Sequence, residues 1–286
     1  LRPLIGRLRV FEGAEITFLV EDRAGAPGLV AEHGLSLWLD LDGRGVLFDT
    51  GRSDAFLRNA ARLGVDLSRA EAIVLSHGHY DHGGGAEDAL RAAPGAILAA
   101  HPDVLSTHLK KEKGTCRDIG LPRSALVALR NLGPRFCAVT VPTEIIPGLF
   151  ATGPVPRLTD FEDVGGPFVK DRQGKYLDDL TDDQSLFFTT AAGLCVVSGC
   201  AHAGIVNTLR YAARLAGVEQ VDAVIGGMHL LAASRDRLER TLEAMRELDV
   251  RLTAPAHCTG STFENLLASS VHTVQRVVTG SRLVLP

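Results

Sequence analysis

Residues 77–82 read His-Gly-His-Tyr-Asp-His and follow the apolar run Ala72-Ile73-Val74-Leu75 across the single residue Ser76. Four side chains able to bind a metal are thereby packed into six positions at the end of an expected strand. The His-x-His spacing lets two imidazoles converge from an extended loop, whereas a helix points them apart. Three more histidines stand in comparable places. His202 follows Leu194-Cys195-Val196-Val197-Ser198, His229 follows Ala223-Val224-Ile225-Gly226-Gly227, and His257 follows Leu252-Thr253-Ala254-Pro255. Strand ends in layered α/β folds gather ligand sites, because the loops there converge on one edge. Imidazole is the commonest metal ligand at neutral pH, and Asp81 adds a hard oxygen. The set His77, His79, Asp81, His82, His202, His257 and His229 therefore suits two divalent ions, with Zn²⁺ expected and Mn²⁺, Fe²⁺ or Mg²⁺ as alternatives. His229 could instead face substrate or donate a proton. Cys200 and Cys258 sit beside these histidines; as soft thiolates they could ligate, but small apolar filler is the simpler reading. His33, His101, His108 and His272 carry no such context and read as structural.

The elements that must position these residues follow from periodicity. Ile16–Val20, Leu35–Leu39 and Gly45–Asp49 are expected strands, with Asp42-Gly43 as the hairpin turn between the last two. Ser53–Leu63 reads as a helix closed by Gly64. The strand 72–75, a helix near 84–93 and a strand at 96–99 follow. In the last third, strands ending at Val197, Ile225 and Ala254 are each followed by a helix, near 204–216, 235–248 and 262–278. The second of these puts Leu238, Leu242, Met245 and Leu248 on one face. The third starts with Ser261 and Glu264 in capping-box register. The stretch from about 102 to 180 is less regular and reads as a cap or insertion within a single domain spanning 1–286. A hairpin-rich start and strands alternating with helices in both halves predict a layered α/β sandwich.

Bulk properties narrow the function classes. The 286 residues suffice for a large core, and 45% hydrophobic with 22% charged residues is ordinary globular composition. A net charge of −4 argues against nucleic acid as a partner. No apolar run approaches the roughly 18 residues of a membrane span, and residues 1–7 lack the apolar core of a signal peptide. Five cysteines without paired spacing make a reduced, cytoplasmic protein the expectation. Seven basic residues between Lys110 and Arg135, opposed by Glu112 and Asp118, could steer a small anionic substrate, although a solvated helix face is the simpler reading.

With His77-Gly78-His79-Tyr80-Asp81-His82, Asp49-Thr50-Gly51 upstream and His202 and His257 downstream, the chain resembles the metallo-β-lactamase-fold superfamily over essentially its whole length. The resemblance implies a four-layer αββα sandwich. It implies His77, His79 and His202 around a first metal and Asp81, His82 and His257 around a second, with Asp49 steadying the ligand loop. The family usually bridges its ions with an Asp where Gly226-Gly227-Met228-His229-Leu230 stands here, and an imidazole bridges two ions poorly. Glu-His-Gly-Leu-Ser at 32–36, Gly-Cys-Ala-His at 199–202 and His-Cys-Thr-Gly at 257–260 resemble a narrower branch. That branch is similar to dihydropterin–ribofuranosylaminobenzene 5'-phosphate synthases. Relatives with a redox di-iron role typically carry Glu where His79 stands. The expected activity is a metal-dependent hydrolase using a metal-activated water on a small anionic ester or phosphoester. Asp81 would orient the nucleophile, and Tyr80 or His229 would assist the oxyanion or the leaving group. A pterin-type synthase and a non-catalytic metal-loaded sensor are the alternatives.

Overall fold

Strict alternation along the central strands lets two sheets bury both of their faces. In Arg44–Phe48, Val46 and Phe48 point between the sheets, while Leu47 points to the outer helices. Gly193–Ser198 does the same with Cys195 and Val197 inward and Leu194 and Val196 outward. A period of two with both parities apolar is the pattern of strands covered on each side. The computed structural model, which describes residues 8–269 and 273–286, is accordingly four-layered. The earlier readings of residues 1–7 and of His272 lie outside those residues.

The first sheet runs in the order Arg282–Leu285, Ala14–Val20, Ser36–Leu41, Arg44–Phe48, Ala70–Val74, Ile97–Ala100, Phe136–Ala138. The second runs Thr143–Ile146, Leu149–Ala151, Ser185–Thr190, Gly193–Ser198, Ala223–Gly227, Leu252–Ala256, Thr273–Val274, with Val10–Phe11 beside Ser185–Thr190. Between the sheets lies a core containing Ile16, Phe18, Phe48, Phe188 and Ile225. Helices Ala55–Leu63, Ala86–Ala92 and Arg123–Arg130 cover the outer face of the first sheet. Ile205–Ala216, Arg235–Glu247 and Ser261–Ala268 cover that of the second.

Local chemistry explains most boundaries. Asp42 and Gly43 both take positive φ, at 52° and 81°, as a tight hairpin turn with right-handed twist requires. Gly64 closes its helix in the left-handed region at φ 73°. Two expectations fail in the last third. The helix there stops at Ala268, and Thr273–Val274 pairs in parallel with Leu252–Thr253. The capping box does not form either. Gly260 is the N-cap and Ser261 is already helical, while Glu264 lies 3.4 Å from Arg23. Pairing with an edge strand and an ion pair to a distant loop outweigh the local signals.

The stretch 102–180 divides its residues. Leu109–Glu112, Thr115–Asp118 and Phe168–Val169 form a small separate sheet. Phe136–Ala138, Thr143–Ile146 and Leu149–Ala151 extend the two large sheets. These strands are only three or four residues long, too short for a periodic signal.

The two sheets approach closely at one edge, and glycine makes that possible. A Cβ on Gly199 would lie 2.1 Å from Ser76 Oγ and 2.8 Å from Asp49 Oδ2. Gly199→Ala is therefore expected to destabilise by about 1–3 kcal/mol through overpacking. A urea midpoint equal to that of the wild type would show that the sheets have room to part.

Candidate metal centre

Every candidate ligand leaves the same edge. Ala70–Val74 leads to His77–His82, Gly193–Ser198 to Cys200 and His202, Ala223–Gly227 to His229, and Leu252–Ala256 to His257. Arg44–Phe48 ends at Asp49. All of these strand pairs are parallel except the junction of Gly193–Ser198 with Ser185–Thr190, so their carboxyl ends point the same way. Asp49, Ala201, His229 and His257 hold positive φ, between 49° and 57°. Non-glycine residues pay for that region, and such strain concentrates where surrounding structure fixes a functional geometry.

Oxygen partners fix the tautomers. Nδ1 of His77 faces Ser76 Oγ at 2.9 Å, Nδ1 of His82 faces Asp49 Oδ2 at 2.7 Å, Nδ1 of His202 faces Val164 O at 2.9 Å, and Nδ1 of His257 faces Asp22 Oδ1 at 2.8 Å. A ring that donates from Nδ1 keeps the lone pair on Nε2, the arrangement of a metal-ligating imidazole. Those Nε2 atoms converge. His77 Nε2 lies 3.0 Å from His79 Nδ1, and His82 Nε2 lies 3.3 Å from His257 Nε2. His202 Nε2 is buried without a hydrogen-bond partner. Donor atoms of His77, His79 and His202 all lie within 4.8 Å of one another. An orphaned buried nitrogen is costly in an apolar setting, and a cation among these lone pairs satisfies it. The residues fit a metal.

Electrostatics agree at the first cluster, whereas at the second His257 faces a carboxylate on each ring nitrogen and favours its protonated form. Burial, followed by the neighbouring imidazoles, holds His77 and His202 well below the usual histidine range, and burial pushes His79 down to about 3. They are neutral and ready to ligate. Around the second cluster, burial opposes charge but hydrogen bonds prevail. Those to His257 and His33 hold Asp81 well below the usual carboxylate range, and those to Asp22 and Asp81 lift His257 well above its own. Asp81 Oδ2 lies 3.5 Å from His257 Nε2 and 3.3 Å from His33 Nε2. The geometry thus gathers His77, His79 and His202 in one cluster and Asp81, His82 and His257 in another beside it. His229 lies against the first, its ring 4.2 Å from His202, with Nε2 at 3.3 Å from Gly165 O and Nδ1 buried and unpartnered. Tyr80 lines the cleft above, its ring under the Arg52 guanidinium at 5.7 Å.

Several residues at the site carry more than the sequence reading gave them. Cys200 Sγ lies 3.1 Å from His82 Nε2 and 3.4 Å from Cys258 Sγ, so neither thiol is remote filler. Their only signal was adjacency to His202 and His257. His33, expected to be structural, joins Asp22 and Asp81, whose hydrogen bonds raise it to about 9. His108 sits behind His79, with Nδ1 2.7 Å from Asp178. His101 accepts from Asp103 N–H. Asp182, Asp183 and Gln184 pin the ligand loops: Asp182 accepts from Gly78 N–H at 2.7 Å, Asp183 from Ala203 N–H at 2.9 Å, and Gln184 bonds Leu75 and Ser76 backbone. Nothing local in Thr181-Asp182-Asp183-Gln184 announces that role.

Over the clusters opens a cleft of about 220 Å³, lined among others by Tyr80, Lys110, Arg117, Phe168 and Leu231. The expected basic patch is split. Lys110 and Arg117 reach the cleft from the small sheet, while Arg135 is spent on the carbonyls of Pro94 and Ala96. No helix among the described residues is long and apolar enough to cross a membrane.

Comparison with known proteins places the fold in a family. Residues 30–257 match the family model of the metallo-beta-lactamase superfamily. Over 269 residues, 89% of this chain and 90% of the relative, the chain is 30% identical to the 7,8-dihydropterin-6-methyl-4-(beta-D-ribofuranosyl)-aminobenzene-5'-phosphate synthase of Methanocaldococcus jannaschii. Among solved structures it is similar to Tm1679, a metal-dependent hydrolase of the beta-lactamase superfamily. That match has 31% identity and a TM-score of 0.80, and covers 94% of this chain and 98% of the other. Zn²⁺-bound PqqB from Methylobacterium extorquens shares the fold at 15% identity, with a TM-score of 0.53 over 95% and 100% of the two chains.

Proposed function

The chain belongs to the metallo-beta-lactamase superfamily, and from that premise we propose that it is a metal-dependent hydrolase of a small anionic ester or phosphoester, holding two divalent ions, with zinc expected. The observation that carries this reading is the convergence of histidine nitrogens whose opposite ring atoms are held by oxygen. In this reading His77, His79 and His202 hold one ion and Asp81, His82 and His257 the other. Such ions supply Lewis acidity and lower the pKa of water from about 15.7 toward 7. Asp81, whose Oδ2 is turned to His257 and His33, is the carboxylate placed to orient an attacking water. His229 keeps its Nε2 proton on Gly165 O, which leaves Nδ1 as a lone-pair donor. That tautomer suits a ligand or an acceptor, while the contacts with Cys258 and Gly165 raise His229 against the effect of burial and suit an acid, so Tyr80 and His229 are both candidates to assist the leaving group.

Lys110 and Arg117 would bind the substrate's anionic group, and Phe168 offers an apolar ring face beside them. Residues 109–118 and 168–169 act as the cap in this reading. The remaining expectations, a cytoplasmic location and no nucleic-acid partner, rest on the sequence reading above. Replacing both Lys110 and Arg117 by alanine is expected to raise KM at least about tenfold with kcat little changed. The difference should shrink as the Debye length falls from about 30 Å at 0.01 M salt to about 3 Å at 1 M. A KM unchanged at low salt would remove the anion from the substrate class.

A second reading is supported by the same aromatic and basic lining together with the Methanocaldococcus relative: joining a dihydropterin to a ribofuranosylaminobenzene 5'-phosphate. The metal-loaded protein assayed with phosphodiesters, lactones and thioesters, and separately with that pair of substrates, decides between them. Turnover of the pair with no hydrolysis of the panel would overturn the hydrolase reading.

A further inference from the structure

The two ligand clusters need something between them, and the expected Asp is replaced by Gly226-Gly227-Met228-His229. Cys200 occupies the junction. Its Sγ lies within 4.8 Å of donor atoms of His77 and His82, of His202 and His229, and of His257 and Cys258. It thus reaches members of both clusters, and it lies 3.1 Å from His82 Nε2. Cys200 is 3% exposed and lines the cleft. Its backbone cannot drift. Gly199 is wedged against Ser76 and Asp49, Ala201 is held at φ 57°, and Gly227 packs on the Gly199 carbonyl. Beside it, Nε2 of His202 and Nδ1 of His229 are buried without a hydrogen-bond partner, which leaves both as donors for a cation.

We propose that the Cys200 thiolate bridges the two metal ions, in the role that a carboxylate would otherwise take. Sulfur suits that position chemically. A thiolate has several lone pairs, is strongly favoured by zinc and other soft or borderline ions, and loses its proton on coordination. Binding releases the Cys200 proton to solvent and forms two metal–sulfur bonds, with no change in oxidation state. Cys258, at 3.4 Å from Cys200 Sγ, accepts the His229 backbone N–H at 3.3 Å and stays outside the bridge.

The inference rests on the two-ion reading above, and its test separates the two. The full chain is reduced, loaded with zinc and examined by X-ray absorption at the zinc edge, with metal content measured in parallel. A single bridging thiolate gives each zinc one sulfur neighbour, at about 2.3 Å. Two zinc ions per chain with one sulfur per zinc is the expected result, and it should persist in Cys258→Ala. In Cys200→Ser the sulfur contribution should vanish. Two zinc ions with half a sulfur per zinc, or a signal that disappears in Cys258→Ala, would overturn the bridge and leave the two-ion reading intact. Less than one zinc per wild-type chain would overturn both. Because the wild type alone yields the sulfur count, failure of Cys200→Ser to fold does not shelter the proposal.

Discussion

His202→Ala is expected to reduce bound metal by at least one equivalent and turnover by more than about 100-fold. The lower bound comes from outer partners of metal ligands, whose loss typically costs about 10–100-fold; His202 is a proposed direct donor and should exceed it. Its Nδ1 is fixed by Val164 O at 2.9 Å, and its Nε2 is buried with no partner. Removing the ring deletes one vertex of the His77–His79–His202 cluster without breaking any buried charge pair. The apoprotein should therefore keep nearly the wild-type fold, while the metal-dependent part of stability is lost. For an ion present at about 100 times its dissociation constant that part is about 2.7 kcal/mol. Thermal melts with and without chelator measure it directly. Equal chelator-induced shifts in wild type and variant would sink the assignment of His202 as a ligand.

Asp49→Ala should be the most destabilising substitution near the site. The Asp49 carboxylate is completely buried and accepts from Ser76 N–H, Ser76 Oγ and His82 Nδ1, each at 2.7 Å. It joins the strand end carrying Asp49 to the loop carrying the ligands and orients His82. Leaving three buried donors without their acceptor costs about 1–3 kcal/mol for each, so a loss of at least about 3 kcal/mol is expected. Affinity for the ion proposed at Asp81, His82 and His257 should also fall about 10–100-fold, since His82 loses the acceptor that fixes its ring. Urea denaturation of the apoprotein and a competitive zinc titration read the two effects separately. Asp49→Asn, which keeps the shape, should recover packing but not full metal affinity. Stability within 1 kcal/mol of the wild type in Asp49→Ala would show that the Ser76 and His82 contacts are dispensable.

Much of this was legible along the chain because its causes are local. The alternation in Arg44–Phe48 and Gly193–Ser198 gives strands covered on both faces. Asp42-Gly43 and Gly64 supply the backbone conformations that a hairpin and a helix end require. The compact run from His77 to His82 marks one wall of the site, and the strand-end positions of His202, His229 and His257 mark the others. Helix length near Ser261 was misread because an edge pairing to Leu252–Thr253 ends it, and no local residue encodes that.

By itself, then, the sequence determined the layered α/β architecture, the edge where ligands gather and the identity of most of the histidines there. Tertiary structure decided which nitrogen of His82 and of His202 is free, because the fixing oxygens come from Asp49 and Val164, distant in the chain from the rings they hold. It alone brought Cys200 to the junction between the clusters and set Lys110 and Arg117, but not Arg135, over the cleft. Periodicity and capping act within one element and can be read from neighbours. Metal geometry depends on atoms converging from five strand ends, and that convergence exists only once the two sheets have packed.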